Sequence, residues 1–290
     1  MKGKGEAHGA ISVLNAIAGG LGCSLGVKLQ VKAEVEIIED NEIFVYMDGV
    51  EYTDRDLIAT KIIIRKTIDQ IIGKKVGAIV RTRSDIPISR GLKSSSASSN
   101  AIILALLAAT GKRLNNFEVL ECGVQASLEA GVTITGAFDD ACASFFGGYC
   151  ITDNINMKLI KREEGQKGLK VVIHVPDQRF EKKNIDVEML KKFKIYANEI
   201  FGITNNGKYF EALTLNGILY SAALGFDPKI AIQAISNGAY AAGLSGTGPA
   251  TVIICNKDNI QDICRSLSDF NGNILRTEIN NDKAKMKVDD

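Results

Sequence analysis

Residues 27 to 37 alternate without a break: Val27, Leu29, Val31, Ala33, Val35 and Ile37 against Lys28, Gln30, Lys32, Glu34 and Glu36. A strict period of two marks a strand with one face in a core and the other in water. Such a strand needs sheet neighbours, and the chain supplies them. Residues 43–47 read as a second strand, closed by a turn at Asp48-Gly49, and 76–83 as a third. Thr53 can cap a helix reaching about residue 72, with Leu57, Ile58, Ile62, Ile68, Ile71 and Ile72 on its buried side. Further helices are predicted at 95–110, ended by Gly111, and at 117–129. Strands follow at 144–152, 157–161 and 170–175, then helices at 186–201, 207–224 and 228–236. A glycine-rich turn leads to a strand at 251–255, a helix at 258–268 and a strand at 273–278. Strands and helices in mixed order imply α+β layers rather than a strict βαβ repeat. A composition shift near 150–175 suggests an N-terminal domain of residues 1–155 and a C-terminal one of 156–290.

With 290 residues, 46% of them hydrophobic, the chain can bury a large core. Its net charge of +1 gives no basic excess for nucleic acid and no polybasic block for an anionic membrane. The longest apolar run, 101–109, is too short to span a bilayer, and no signal-peptide core follows Met1. The expectation is a cytoplasmic protein with neither nucleic acid nor membrane as partner. Its oligomeric state is not legible. The six cysteines lack any C-x-x-C spacing and are expected to be buried, reduced thiols. With only His8 and His174, a Ser-His-Asp triad or a multi-histidine metal centre has almost no raw material.

The most informative segment is Pro87-Ile88-Ser89-Arg90-Gly91-Leu92-Lys93-Ser94-Ser95-Ser96-Ala97. Glycine and serines directly before a helix suit a phosphate, because a helix N-terminus carries free N–H groups and partial positive charge. Serine hydroxyls add donors, or a ligand for a hard metal ion. The bland alternative is a serine-capped helix. A P-loop is excluded, since its two glycines would fall at Leu92 and Pro87. A second segment, Gly136-Ala137-Phe138-Asp139-Asp140, offers adjacent acids among small residues. It reads either as a base for a substrate hydroxyl or as a helix cap with a spare surface acid. A third, Gly243-Leu244-Ser245-Gly246-Thr247-Gly248-Pro249-Ala250, is either a phosphate-hugging turn or a structural one.

Taken in order, these segments resemble the motifs of the galactokinase, homoserine kinase, mevalonate kinase and phosphomevalonate kinase (GHMP) superfamily. Pro-x-x-x-Gly-Leu-x-Ser-Ser-x-Ala is similar to its second motif, Gly-x-x-Asp-Asp to the stretch bearing the catalytic acid, and 243–250 to its third motif. The resemblance implies a two-domain α+β fold with a ferredoxin-like C-terminal half across a cleft. It implies ATP and Mg²⁺ as cofactors, with phosphates bound by Pro87, Ser89, Gly91, Leu92, Lys93, Ser94, Ser95, Ser96, Ala97, Gly246 and Gly248. Magnesium would fall to Ser95 and Glu129. Asp139 would be the catalytic acid, with Asp140 structural, and Lys4 would fill the basic position that stabilises phosphoryl charge. Lys93 is a departure, since the superfamily usually has glycine there.

Finer matches are similar to the archaeal shikimate kinase branch: the Asn15-Ala16-Ile17 start, Thr133 to Ala141, and the Leu215–Tyr220 stretch. They imply shikimate as acceptor, phosphorylated on its 3-hydroxyl, and Asn15 as a further site residue. Homoserine or another alcohol is the alternative acceptor, and a non-catalytic ligand sensor the alternative of a different class. Arg81, Arg83 and Arg90 flank the loop and could fork a carboxylate, but read better as solvated charges.

Overall fold

The computed structural model describes residues 1–48, 54–73, 76–88, 90–131, 133, 136–177 and 185–288. The expected turn at Gly49, the cap at Thr53 and the site residue Ser89 lie outside them. The alternating strand is β2 (Leu21–Ile38), and it begins well before the alternation does. It is the axis of a seven-stranded sheet. β1 (Lys2–Leu14) runs antiparallel along it. On its other edge β4 (Gly77–Ser84) pairs with the C-terminal part, and β5 (Tyr149–Asp153) with the N-terminal part. β3 (Ile43–Asp48) lies parallel to β4, β6 (Lys158–Glu163) pairs with β5, and β11 (Lys285–Val288) returns to the outer edge of β1. β6 and β11 follow residue 155, yet both hydrogen-bond into this first sheet.

Helices α2 (Ser94–Thr110) and α4 (Phe138–Phe146) lie on β1 and β2, with α1 (Asp54–Ile72) and α3 (Asn116–Glu129) packed beside them. The apolar run of α2 is buried on every side, which its unbroken hydrophobicity requires. Its large aliphatics Ile102, Ile103, Leu104, Leu106 and Leu107 each contribute about 1.5–3 kcal/mol by burial. The helix sits close because β1 has glycines beneath it. A Cβ on Gly5 would fall 2.0 Å from the Ala101 carbonyl oxygen, and one on Gly3 2.4 Å from that of Ala105. The buried stripe of α1 is Ile63, Ile64, Thr67, Ile68 and Ile71; Ile58, expected inside, is exposed. The strand expected from 144 starts at Tyr149, because 138–146 is helical.

The second sheet is antiparallel, in the order β10 (Asn273–Glu278), β7 (Lys170–Val175), β9 (Thr251–Cys255), β8 (Ala241–Leu244). With its four strands numbered along the chain the order is 4-1-3-2, the ferredoxin-like arrangement expected. α7 (Tyr209–Leu224), α8 (Lys229–Ser236) and α9 (Ile260–Ser266) pack on it. The single helix expected at 186–201 is two, α5 (Val187–Lys191) and α6 (Lys194–Asn205), broken at Phe193. All six cysteines are buried and unpaired, as expected.

Candidate active site

Two helix N-termini open on one cleft. α2 starts after Lys93, whose backbone is left-handed (φ 62°, ψ 31°) and whose side chain caps nothing. α4 starts after Ala137, also left-handed (φ 51°) and also without a side-chain cap. Neither aspartate is therefore a helix cap; both sit in the first turn of α4, where the helix dipole favours negative charge. Between the two N-termini lies a cleft of about 650 Å³, partly open to solvent. Its walls include Gly91, Lys93, the three serines 94–96, Asp140 and Thr247. Leu92 and Ala97, expected in the loop, are buried in the core, and Pro87 is not on the cleft wall.

The third glycine segment is tied to the phosphate loop. Ser245 Oγ donates to the Gly91 carbonyl (2.8 Å) and accepts from the Ser12 amide (3.2 Å). The Ala250 amide donates to the Arg90 carbonyl (3.2 Å). Gly91 must be glycine here, since a Cβ would stand 2.3 Å from the Ser245 carbonyl oxygen. Gly246 (φ 61°) and Gly248 (φ 77°) are both left-handed, and Gly246 lies against the Lys93 ammonium. Asn15 donates from Nδ2 to the Gly246 carbonyl (2.9 Å) and accepts from the Ile17 amide (3.0 Å). Its backbone amide donates to Asn216 Oδ1. Asn15 is thus a buried joint between β1, α7 and the glycine turn.

The acid pair rests on a track of small residues. Gly22, Ser24 and Gly26 lie on one face of β2; Gly22 faces the Asp139 carboxylate, and Gly26 faces Ala143 and Gly147. Asp139 is buried. Its Oδ1 accepts from Asn154 Nδ2 (2.7 Å), and its backbone amide donates to Asn154 Oδ1 (3.1 Å). Ser24 Oγ lies 3.0 Å from Asp139 Oδ2 and 2.7 Å from Asp140 Oδ1. Asp140 Oδ2 forms an ion pair with Lys93 Nζ at 3.0 Å, the two side chains only 10% and 12% exposed. Burial, and then the adjacent Asp140, push the Asp139 carboxyl up to about 6, while Lys93, Asn154 and Ser24 pull it down. The result is a buried acid with its proton affinity raised toward neutrality, beside a cleft lined by the Lys93–Asp140 pair and the serine hydroxyls.

Two expected site residues are elsewhere, and Arg90, read as a solvated charge, has backbone partners. Glu129, at the end of α3, is half exposed and holds Lys66 of α1 in an ion pair. It does not line the cleft. Lys4 is half exposed on β1, 3.7 Å from Glu34, its partner in register on β2. Arg90 donates to the carbonyls of Pro176 and Asp177, joining the phosphate loop to the end of β7. Ser24 and Asn154 were not expected. Ser24 had a signal: Gly22-x-Ser24-x-Gly26 strips one face of a strand at period two, as a close neighbour requires. Asn154 had none beyond following a buried strand.

Residues 58–148 match the GHMP kinases N terminal domain, and residues 211–273 match the GHMP kinases C terminal domain. The shikimate kinase of Methanothrix thermoacetophila is 39% identical over 289 residues, covering 99% of this chain and 96% of that protein. That of Methanothermobacter thermautotrophicus is 38% identical, covering 96% of each. Among solved structures, homoserine kinase from Cytophaga hutchinsonii superposes with a TM-score of 0.76 over 99% of this chain and 97% of its own, at 14% identity, a likeness of fold alone. With both halves of the family matched and relatives this similar end to end, the chain belongs to the GHMP kinases.

Proposed function

We propose that this protein is a shikimate kinase, transferring the γ-phosphoryl group of ATP to the 3-hydroxyl of shikimate. One observation carries the chemistry: a serine-lined helix N-terminus faces Asp140 across a single cleft, with the buried Asp139 carboxylate directly behind it, bridged to Asp140 by Ser24. Relatives sharing 38–39% of their residues over nearly the whole chain carry that enzyme name and support the acceptor. The homoserine kinase likeness, at 14% identity, does not compete with them.

In this reading the ATP phosphates lie on the N–H groups and hydroxyls of Ser94, Ser95 and Ser96, with Gly91 and the Gly246–Gly248 turn close against them. Asp139 accepts the proton of the acceptor hydroxyl and orients it for in-line attack. Asn154 and Ser24 hold that carboxylate still, which matters because positioning and electrostatics supply most of the catalysis in phosphoryl transfer. Among the described residues no three His, Cys, Asp or Glu side chains cluster as a metal cage. The Ser94, Ser95 and Ser96 hydroxyls on the cleft wall are hard oxygen donors that fit Mg²⁺, which keeps its waters and binds chiefly through substrate phosphates. Ser95 is the residue that would hold it, and the ion would neutralise phosphate charge. Among the described residues no helix is long and apolar enough to cross a membrane.

The test is a panel of acceptors. With ATP and Mg²⁺, shikimate should give ADP and a phosphate ester on its 3-hydroxyl, while homoserine and mevalonate give at most a few per cent of that rate. Turnover of homoserine with none of shikimate would contradict the acceptor.

A further inference from the structure

Lys93 combines three features that a loop lysine rarely shows together. Its backbone is left-handed, a conformation that strains a side-chain-bearing residue and that glycine would adopt freely. Its ammonium is nearly buried and ion-paired to Asp140 at 3.0 Å. Its tip also touches the third glycine segment: a Cβ built on Gly246 would lie 2.8 Å from Nζ. The side chain therefore stands where the phosphate loop, the acid pair and the glycine turn converge. Lys93 is the one cation among the described residues lining the cleft, and Asp140 the one anion.

We infer that Lys93, aimed by Asp140, supplies the positive charge that stabilises the phosphoryl group in flight, the role the sequence offered to Lys4. The inference rests on the kinase reading above. A transferring phosphoryl group spreads negative charge over its equatorial oxygens, and two carboxylates already stand beside it. A fixed cation between phosphate and carboxylates keeps them from repelling each other. It costs no reorganisation when charge shifts, because the helix start and the ion pair hold it in place beforehand. The backbone strain is what this placement costs: glycine at 93 would relax the turn but bring no charge. Lys4 cannot take the role from its observed position, paired with Glu34 outside the cleft lining.

The experiment compares wild type with Lys93→Gly, which suits the left-handed turn, and with Lys93→Met. Wild-type turnover is measured first; no transfer to any alcohol would overturn the kinase reading itself. Given an active wild type, both variants should lose about 100-fold or more in kcat while KM for ATP changes less than about tenfold. Methylammonium at tens of millimolar should restore part of the kcat of Lys93→Gly, and sodium chloride at equal ionic strength should not. ADP affinity by calorimetry and a cooperative thermal melt confirm that each variant is folded. Retention of kcat within threefold in either variant would overturn the inference. So would a folded, ADP-binding Lys93→Gly that no amine rescues, or a Lys4→Met variant that loses as much kcat as Lys93→Met.

Discussion

Ser24 has one proton to donate and two carboxylates within reach, at 3.0 and 2.7 Å. It can satisfy both only if one of them carries a proton and donates back to its oxygen. Below about pH 6 Asp139 carries that proton; above it Ser24 donates to one carboxylate at a time. Groups facing this carboxylate are Asp140 and Lys93, with the thiols of Cys23, Cys142 and Cys150 around it. The consequence for pH follows from the sign of the shift. A carboxyl raised to about 6 is the working base above that pH and is lost as pH falls through it. The kcat/KM profile should therefore have an acid limb near pH 6. Asn154→Ala removes a donor that favours the ionised form, so it should move this limb upward and lower kcat about tenfold. A limb that stays in place in that variant would mean that Asp139 does not set it.

At the scale of elements, the contact of α2 with β1 is the tightest fit that positions the site. Gly5 leaves room for the Ala101 backbone, and the phosphate-facing end of the same helix depends on that seat. Gly5→Val should cost about 3 kcal/mol or more, measured as a lower denaturation midpoint at unchanged slope. A loss below about 1 kcal/mol would mean the helix can lift without penalty. Strands with one wet face, such as 27–37 and 76–83, were legible by their alternation, and the short buried runs 170–175 and 251–255 by their apolar β-branched content. β1 was not foreseen because much of it is buried on both faces, so its pattern does not alternate. α4 was missed for a related reason: a nine-residue apolar helix carries too little period to be told from a strand. The short β11 is set by β1, a partner far away in the chain, which no local pattern reveals. Of the segments that the sequence singles out as local motifs, 91–96 and 136–141 come together at the cleft. The Lys93–Asp140 pair, Ser24 and Asn154 were not legible, because each joins segments distant in sequence. Glu129 and Lys4, named from the resemblance one residue at a time, pair with Lys66 and Glu34 away from the cleft lining.

For the whole molecule, the cleft exists because three separate stretches are bolted together. Ser245 holds the phosphate loop, Asn15 holds the Gly246 turn to β1 and α7, and Arg90 holds the loop to the end of β7. These ties join the two sheets at the cleft, β2 also meets β10 through Lys28 and Glu278, and the acid pair sits on the β2 track. If the protein transfers phosphate by this arrangement, the base and the nucleotide site must be separable by substitution. The most direct measurement is steady-state turnover of wild type and Asp139→Asn with Mg²⁺-ATP and shikimate, with ADP affinity measured on both. A loss of about 1,000-fold in kcat with ADP affinity within threefold is predicted. An Asp139→Asn protein turning over within threefold of wild type would contradict the assignment of that carboxylate and the mechanism built on it.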